Sequence, residues 1–136
     1  MLPNYSAILR EHTADYRGKR ERAIRRTADV FEFYASLFSD SRLPKNTRPL
    51  VSAVLAYFVV SDDVIPEDVH GPKGILDDLF VAAHTYRRIS RDLPYELIEE
   101  AWPAEDDIDS VMAEIYSEAR SAIGKRAKEA VRMAGV

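Results

Sequence analysis

Between Leu50 and Val60 every residue is apolar except Ser52. Such a segment has no polar face to offer water, so it must be packed on several sides. Its eleven residues are about half of the ~20 that a membrane-spanning helix needs. The segment therefore predicts a buried helix over residues 44–60, begun by Pro44, whose fixed φ and missing N–H suit a first helical turn. The stretch that follows, SDDVIPEDVHGPKG, places two prolines and two glycines within nine residues, which ends the helix in a loop. Helical spacing resumes over 75–91 through Leu76, Leu79, Phe80, Ala83 and Tyr86. The expected centre of the fold is thus a helix–acidic loop–helix hairpin, residues 42–91.

The flanking sequence supplies helices to pack around it. Residues 4–17 form a short amphipathic pattern, and over 19–38 Ile24, Ala28, Phe31, Ala35 and Phe38 recur at helical steps with arginines opposite. Pro94 starts a short helix that ends at Trp102, before Pro103. From 104 to 133 one long helix is expected, with Glu105, Asp106 and Asp107 in its first turn and Lys125, Arg126, Lys128 and Arg132 near its end. At about 45 Å it would overhang the domain, and Gly124 is its weak point. The prediction is an all-α irregular bundle of five to six helices in a single domain, residues 1–136, with a long carboxy-terminal helix.

Composition narrows the function classes. With no cysteine, disulfide staples, thiolate metal sites and cysteine nucleophiles are excluded. The amino terminus does not read as a secretory signal and no segment reads as a membrane anchor, so the expected location is the cytoplasm. The net charge of −4 is unevenly spread. Residues 1–60 carry ten basic and six acidic side chains, 61–114 four and fifteen, and 115–136 five and two. Either the basic ends fold against the acidic middle, or a second copy supplies the opposite charge.

The hairpin carries the most informative pattern: Tyr57 and Phe58, then Asp63, Ile65, Pro66 and Glu67, then Gly74, Leu76, Asp77 and Asp78. Over residues 50–89 the chain resembles the YkvA-like family of bacteria and archaea, domain of unknown function 1232. It departs from the family pattern at Ser61, where proline is usual, and at Glu67, where aspartate is usual. The family has no settled activity, so the resemblance implies a fold element rather than a reaction. The family also occurs within larger membrane-associated proteins.

Two readings of the acidic residues stand side by side. In the first they orient a tight hairpin: Asp63 accepts loop N–H groups, Pro66 and Gly74 set the backbone, and Asp77 and Asp78 occupy the first turn of the second helix. In the second, Asp63, Glu67, Asp77 and Asp78 converge as hard oxygen ligands for Mg²⁺, Mn²⁺ or Ca²⁺. The spacing matches no standard calcium loop.

The remaining candidates are weaker. His84 lies about 10 Å along the helix from Asp77, His70 sits in the loop, and His12 has no evident partner. No glycine-rich phosphate loop, nucleophile elbow or paired-histidine motif occurs, so an enzyme is not the expectation. Arg17, Lys19, Arg20, Arg22, Arg25 and Arg26, beside Tyr16, could neutralise nucleic-acid phosphates, but helical spacing puts most of them on a solvated face of an acidic protein. The expected function is a non-catalytic binding or adaptor module. Its partner is a protein or a second copy, met through the acidic loop or the alanine-rich end of the last helix.

Overall fold

The computed structural model describes residues 5–14, 16–64 and 72–136, excluding the side chains of 5, 12, 60–64 and 72–74. Seven helices and one single helical turn follow in order: α1 Tyr5–Thr13, the turn α2 Glu21–Ile24, α3 Thr27–Ser39, α4 Arg48–Val64, α5 Pro72–Ile89, α6 Tyr95–Ala101, α7 Ile108–Ile123 and α8 Arg126–Ala134. No strand occurs among the described residues. The all-α bundle is as expected, and its larger helix count comes from two breaks.

The first break divides the helix expected over 19–38. Arg20 enters α2 with a left-handed φ of 64°, and Arg25 and Arg26 form a turn before α3. There the Thr27 hydroxyl donates to the Ile24 carbonyl at 2.5 Å, beside the backbone bond from Arg26 N–H to Ala23 O. The second break falls at Gly124, whose φ of 56° and ψ of −120° belong to a region that side chains avoid. The chain turns there, so the expected 30-residue helix becomes α7 and α8, and α8 packs back on α4 and α5. Ala119, Ala127 and Ala130 are buried in these contacts, which places much of the alanine-rich stretch inside its own fold.

Residues 104–107 are not helical. Asp107 instead caps α7, accepting the Ser110 backbone N–H at 3.0 Å and its hydroxyl at 2.8 Å. The Trp102 indole N–H donates to Asp106 O at 3.0 Å and fixes the approach. Pro44 likewise precedes its helix: its carbonyl accepts from the backbone N–H groups of Thr47 and Arg48, and α4 begins at Arg48.

The core is centred where α3, α4 and α5 meet. Val30, Phe33, Tyr34 and Leu37 of α3 lose all exposure, together with Val51, Val54 and Phe58 of α4 and Leu79, Val81, Ala82 and Ile89 of α5. Phe33 meets Tyr34, Tyr86 and Trp102 edge-on, and Phe31 meets Phe58 edge-on at 5.6 Å between ring centroids. The Tyr34 hydroxyl, sealed in this core, donates to the Ala82 carbonyl at 2.6 Å. Phe38, on the periodic stripe of the sequence, is instead 40% exposed, with the Arg48 guanidinium 5.2 Å above its ring. A second, smaller cluster joins Ile24, Leu76, Phe80, Ala119, Ile123 and Ala127 across α2, α5, α7 and α8.

Candidate functional site

Both hairpin helices are longer at the loop end than expected. The backbone of Ser61 to Val64 completes α4, so Asp63 lies in its last turn rather than after it. α5 begins at Pro72, with Gly74 in helical backbone, so Asp77 and Asp78 lie beyond the first turn. The helix-terminus stabilisation expected for those two carboxylates therefore does not apply, because the dipole effect fades within a turn.

Other partners hold them. Asp77 Oδ1 accepts a hydrogen bond from Arg126 Nη2 of α8 at 2.8 Å, and the two side chains are 23% and 56% exposed. Burial raises the Asp77 pKa above its usual value, and the Arg126 charge and hydrogen bond work against that rise. Asp78, one position on, faces inward and is 1% exposed. Tyr57 of α4 is half-buried in the same neighbourhood, and its phenol is pushed up to about 12, first by burial and then by the charges of Asp77 and Asp78. The hairpin base is thus a place where α4, α5 and α8 share charge and packing.

Of the proposed metal ligands, the structure sets Asp77 and Asp78 in adjacent positions on α5, while Glu67 and the side chain of Asp63 lie outside the described residues. Ile65 and Pro66 also lie outside them. Among the described residues no group of three or more carboxylates or imidazoles is placed to hold an ion. Phe58 is a core residue of the hairpin, and the half-buried Tyr57 packs against that core. His84 stacks on Phe80 at 6.0 Å, and its pKa is lowered by burial and then by Arg87 and Arg88. His70 and the side chain of His12 lie outside the described residues.

The basic segment turns inward toward acid. Arg20 pairs with Glu118 at 3.4 Å and Arg22 with Glu114 at 3.6 Å, both on α7. Arg25 pairs with Glu21 at 2.8 Å. Arg26 bridges Asp29 and Asp106 and lies 6.0 Å from the Trp102 ring centre. Arg17 donates to the Tyr16 carbonyl, while Lys19 is exposed. The resulting groove of about 520 Å³, lined by Arg22, Arg25, Arg26, Asp29, Asp106 and Glu114, carries both signs of charge. With Arg126 on Asp77, both basic ends of the chain fold against its acidic middle, the first of the two arrangements the charge pattern allowed.

A second groove, of about 500 Å³, runs between α5 and α7 and was not singled out from the sequence. Tyr86, Arg87, Ser90 and Arg91 line one side, and Asp109, Met112, Ala113 and Tyr116 the other. The Arg87 guanidinium lies 4.4 Å over the Tyr116 ring, and Arg120 donates to the Tyr116 hydroxyl at 3.3 Å. At the other end the Tyr86 hydroxyl donates to Asp109. The available signal was Arg87, Arg88 and Arg91 grouped in an otherwise acidic stretch.

Fold and site together define a small helical bundle built on an acidic hairpin. Residues 47–83, spanning most of that hairpin, match the family described as "Protein of unknown function (DUF1232)", in agreement with the motif resemblance. The chain is also similar to "Uncharacterized protein ORF9" of Methanothermobacter thermautotrophicus, with 25% identity over 133 residues, covering 98% of this chain and 91% of that protein. No solved structure matches it significantly. Among the described residues no helix is long and apolar enough to cross a membrane.

Proposed function

We propose that this chain is a non-catalytic helical binding module acting through protein–protein contacts, with the acidic hairpin as its scaffold and the α5–α7 groove as its contact face. The observation that carries this reading is the ion pair between Asp77 and Arg126. A carboxylate with the chemistry of a metal ligand is engaged instead by a helix 49 residues further along the chain. The groove, by contrast, presents the exposed Arg87 and Arg91 beside the half-buried Tyr116 ring, residue types enriched at binding hot spots.

Cross-linking in cells followed by mass spectrometry tests the module. A polypeptide cross-linked to the native chain and lost with Arg87→Glu/Arg91→Glu supports it. An identical pattern for both chains, or none for either, contradicts it.

The alternative is a divalent-ion site, and the observation favouring it is that Asp77 and Asp78 occupy adjacent positions on α5, near the loop end of the hairpin. Mg²⁺, Mn²⁺ or Ca²⁺ would then have to displace Arg126 and draw further oxygen ligands from Asp63 and Glu67. A nucleic-acid role for residues 17–26 has less support, because phosphates would compete with Glu21, Asp106, Glu114 and Glu118 for the same guanidinium groups.

A further inference from the structure

Among the described residues three guanidinium groups lie over aromatic rings, and they differ in what else they meet. Arg26, beside the Trp102 ring, donates to Asp29 and Asp106 and is neutralised by them. Arg48, over Phe38, donates to the backbone carbonyls of Phe38 and Asp40. Arg87 lies closest to its ring, 4.4 Å from the Tyr116 centre, is exposed, and donates to no described residue. Tyr116 also holds a second cation. Arg120, one turn further along α7, donates to the Tyr116 hydroxyl at 3.3 Å and pairs with no described carboxylate. A neutral side chain thus fixes two guanidinium groups, one against its ring and one at its oxygen, and neutralises neither. An oxyanion arriving there meets charged donors whose long side chains are already largely ordered, which lowers the cost of binding.

The rest of the α5–α7 groove has room for a chain. On α7, Asp109, Ala113, Tyr116 and Arg120 recur at steps of three and four positions and so share one face. Ala113 is exposed and presents only a methyl group between its larger neighbours. On α5, Ser90 and Arg91 continue the opposite wall, with Arg91 one turn beyond Arg87. At the far end Asp109 accepts the Tyr86 hydroxyl, so that carboxylate already has a partner in its own chain.

We propose that the Tyr116 end of this groove receives an acidic segment of a partner polypeptide, whose side-chain carboxylates accept hydrogen bonds from Arg87 and Arg120. The inference rests on the binding-module reading and gives the chemistry of its partner. Guanidinium groups meet carboxylates through paired N–H donors, and capture of acidic motifs by grouped arginines is a recurring mode of peptide recognition. Arg91, a turn from Arg87, stands where a further carboxylate of the same segment would pass, and the gap over Ala113 admits its backbone. A nucleic acid fits less well. A duplex carries a charge about every 1.7 Å along its axis, and the exposed Asp109 would repel a phosphate backbone running the length of the groove.

Fluorescence anisotropy with the full chain tests it. The probes are a short labelled peptide of alternating glutamate and alanine, the same peptide with glutamine in place of glutamate, and a short single-stranded RNA. Arg87→Glu/Arg120→Glu reverses the charge, while Ala113→Trp fills the groove and leaves charge unchanged; all three positions are exposed, and circular dichroism verifies that each variant is folded. The expected result is saturable binding of the glutamate peptide that raised salt weakens, a loss of affinity of about tenfold or more in either variant, and no binding of the glutamine peptide. A native chain that ignores the glutamate peptide overturns the proposal, as do variants that bind it like the native chain or equal binding of the glutamine peptide. RNA bound more tightly than the peptide, and lost in the same variants, overturns it in favour of a nucleic acid. A chain that ignores the peptide but cross-links in cells to a polypeptide lost with Arg87→Glu/Arg91→Glu overturns the acidic segment alone. A chain that does neither overturns the binding module as well.

Discussion

Arg126, two residues after the Gly124 turn, donates to Asp77 across 2.8 Å and closes α8 over the base of the α4–α5 hairpin. The bond joins the carboxy-terminal helix to the segment that carries the family match, so Gly124 and Arg126 are as much part of the hairpin's support as its own loop.

Loss of that bond has a defined pH signature. Asp77 has a folded pKa above its ordinary 3.8, so its contribution to stability is fully present below 3.8 and declines as pH rises through the folded value. Arg126 offsets this decline by favouring the ionised carboxylate. Arg126→Ala is therefore expected to cost about 1 kcal/mol near neutral pH and less at about pH 3, below the ordinary 3.8, where Asp77 with its raised pKa is protonated. Urea unfolding of both proteins at the two pH values checks the sign.

Gly124→Ala separates a helix break from a continuous helix. In a continuous helix the change stabilises by about 1 kcal/mol. Here the new Cβ meets nothing within 4 Å, yet the backbone at φ 56° and ψ −120° resists any side chain. The expected outcome is destabilisation by about 1–3 kcal/mol, read from the urea midpoint.

Tyr34→Phe removes a buried hydrogen bond to Ala82 and is expected to cost about 0.5–1.5 kcal/mol at neutral pH. Burial raises the Tyr34 pKa well above 10.0. The stability that its neutral form confers is complete below pH 10 and is lost as pH rises toward the folded value, because only the unfolded chain ionises there. The gap between native and Tyr34→Phe proteins should narrow above pH 10, as alkaline urea titrations will show.

Phe58→Ala tests the hairpin as core. The ring is fully buried and meets Phe31 edge-on. Its removal is expected to cost about 3–5 kcal/mol, a large part of the ~5–15 that holds such a domain together. Differential scanning calorimetry would record the loss as a broad fall in midpoint and enthalpy.

The central hairpin was legible because Leu50 to Val60 has no polar face, and because helical spacing returns at Leu76 on the far side of a proline- and glycine-rich stretch. Element ends were less so. α4 runs on through Ser61 to Val64 and α5 starts at Pro72, since a short run of polar residues does not by itself stop a helix whose apolar face is already packed. That shift of one turn moved Asp77 and Asp78 from a helix terminus to an ion pair and an inward-facing position. Charge segregation left open whether the ends meet the middle or a second copy, and did not say which pairs form. Arg22 with Glu114 and Arg126 with Asp77 depend on where the chain turns at Arg25 and Gly124. The α5–α7 groove escaped notice because Arg87 and Tyr116 are neighbours only through packing, which no local period records.

The most direct test of the hairpin as scaffold is a thermal melt of chelator-treated protein, native and Asp77→Asn, with and without added Mg²⁺, Mn²⁺ and Ca²⁺. The scaffold account predicts that no ion moves the native midpoint and that Asp77→Asn shifts it by the same amount in every buffer. A clear rise with any of the three ions, lost in Asp77→Asn, would contradict it and make the acidic hairpin a metal site.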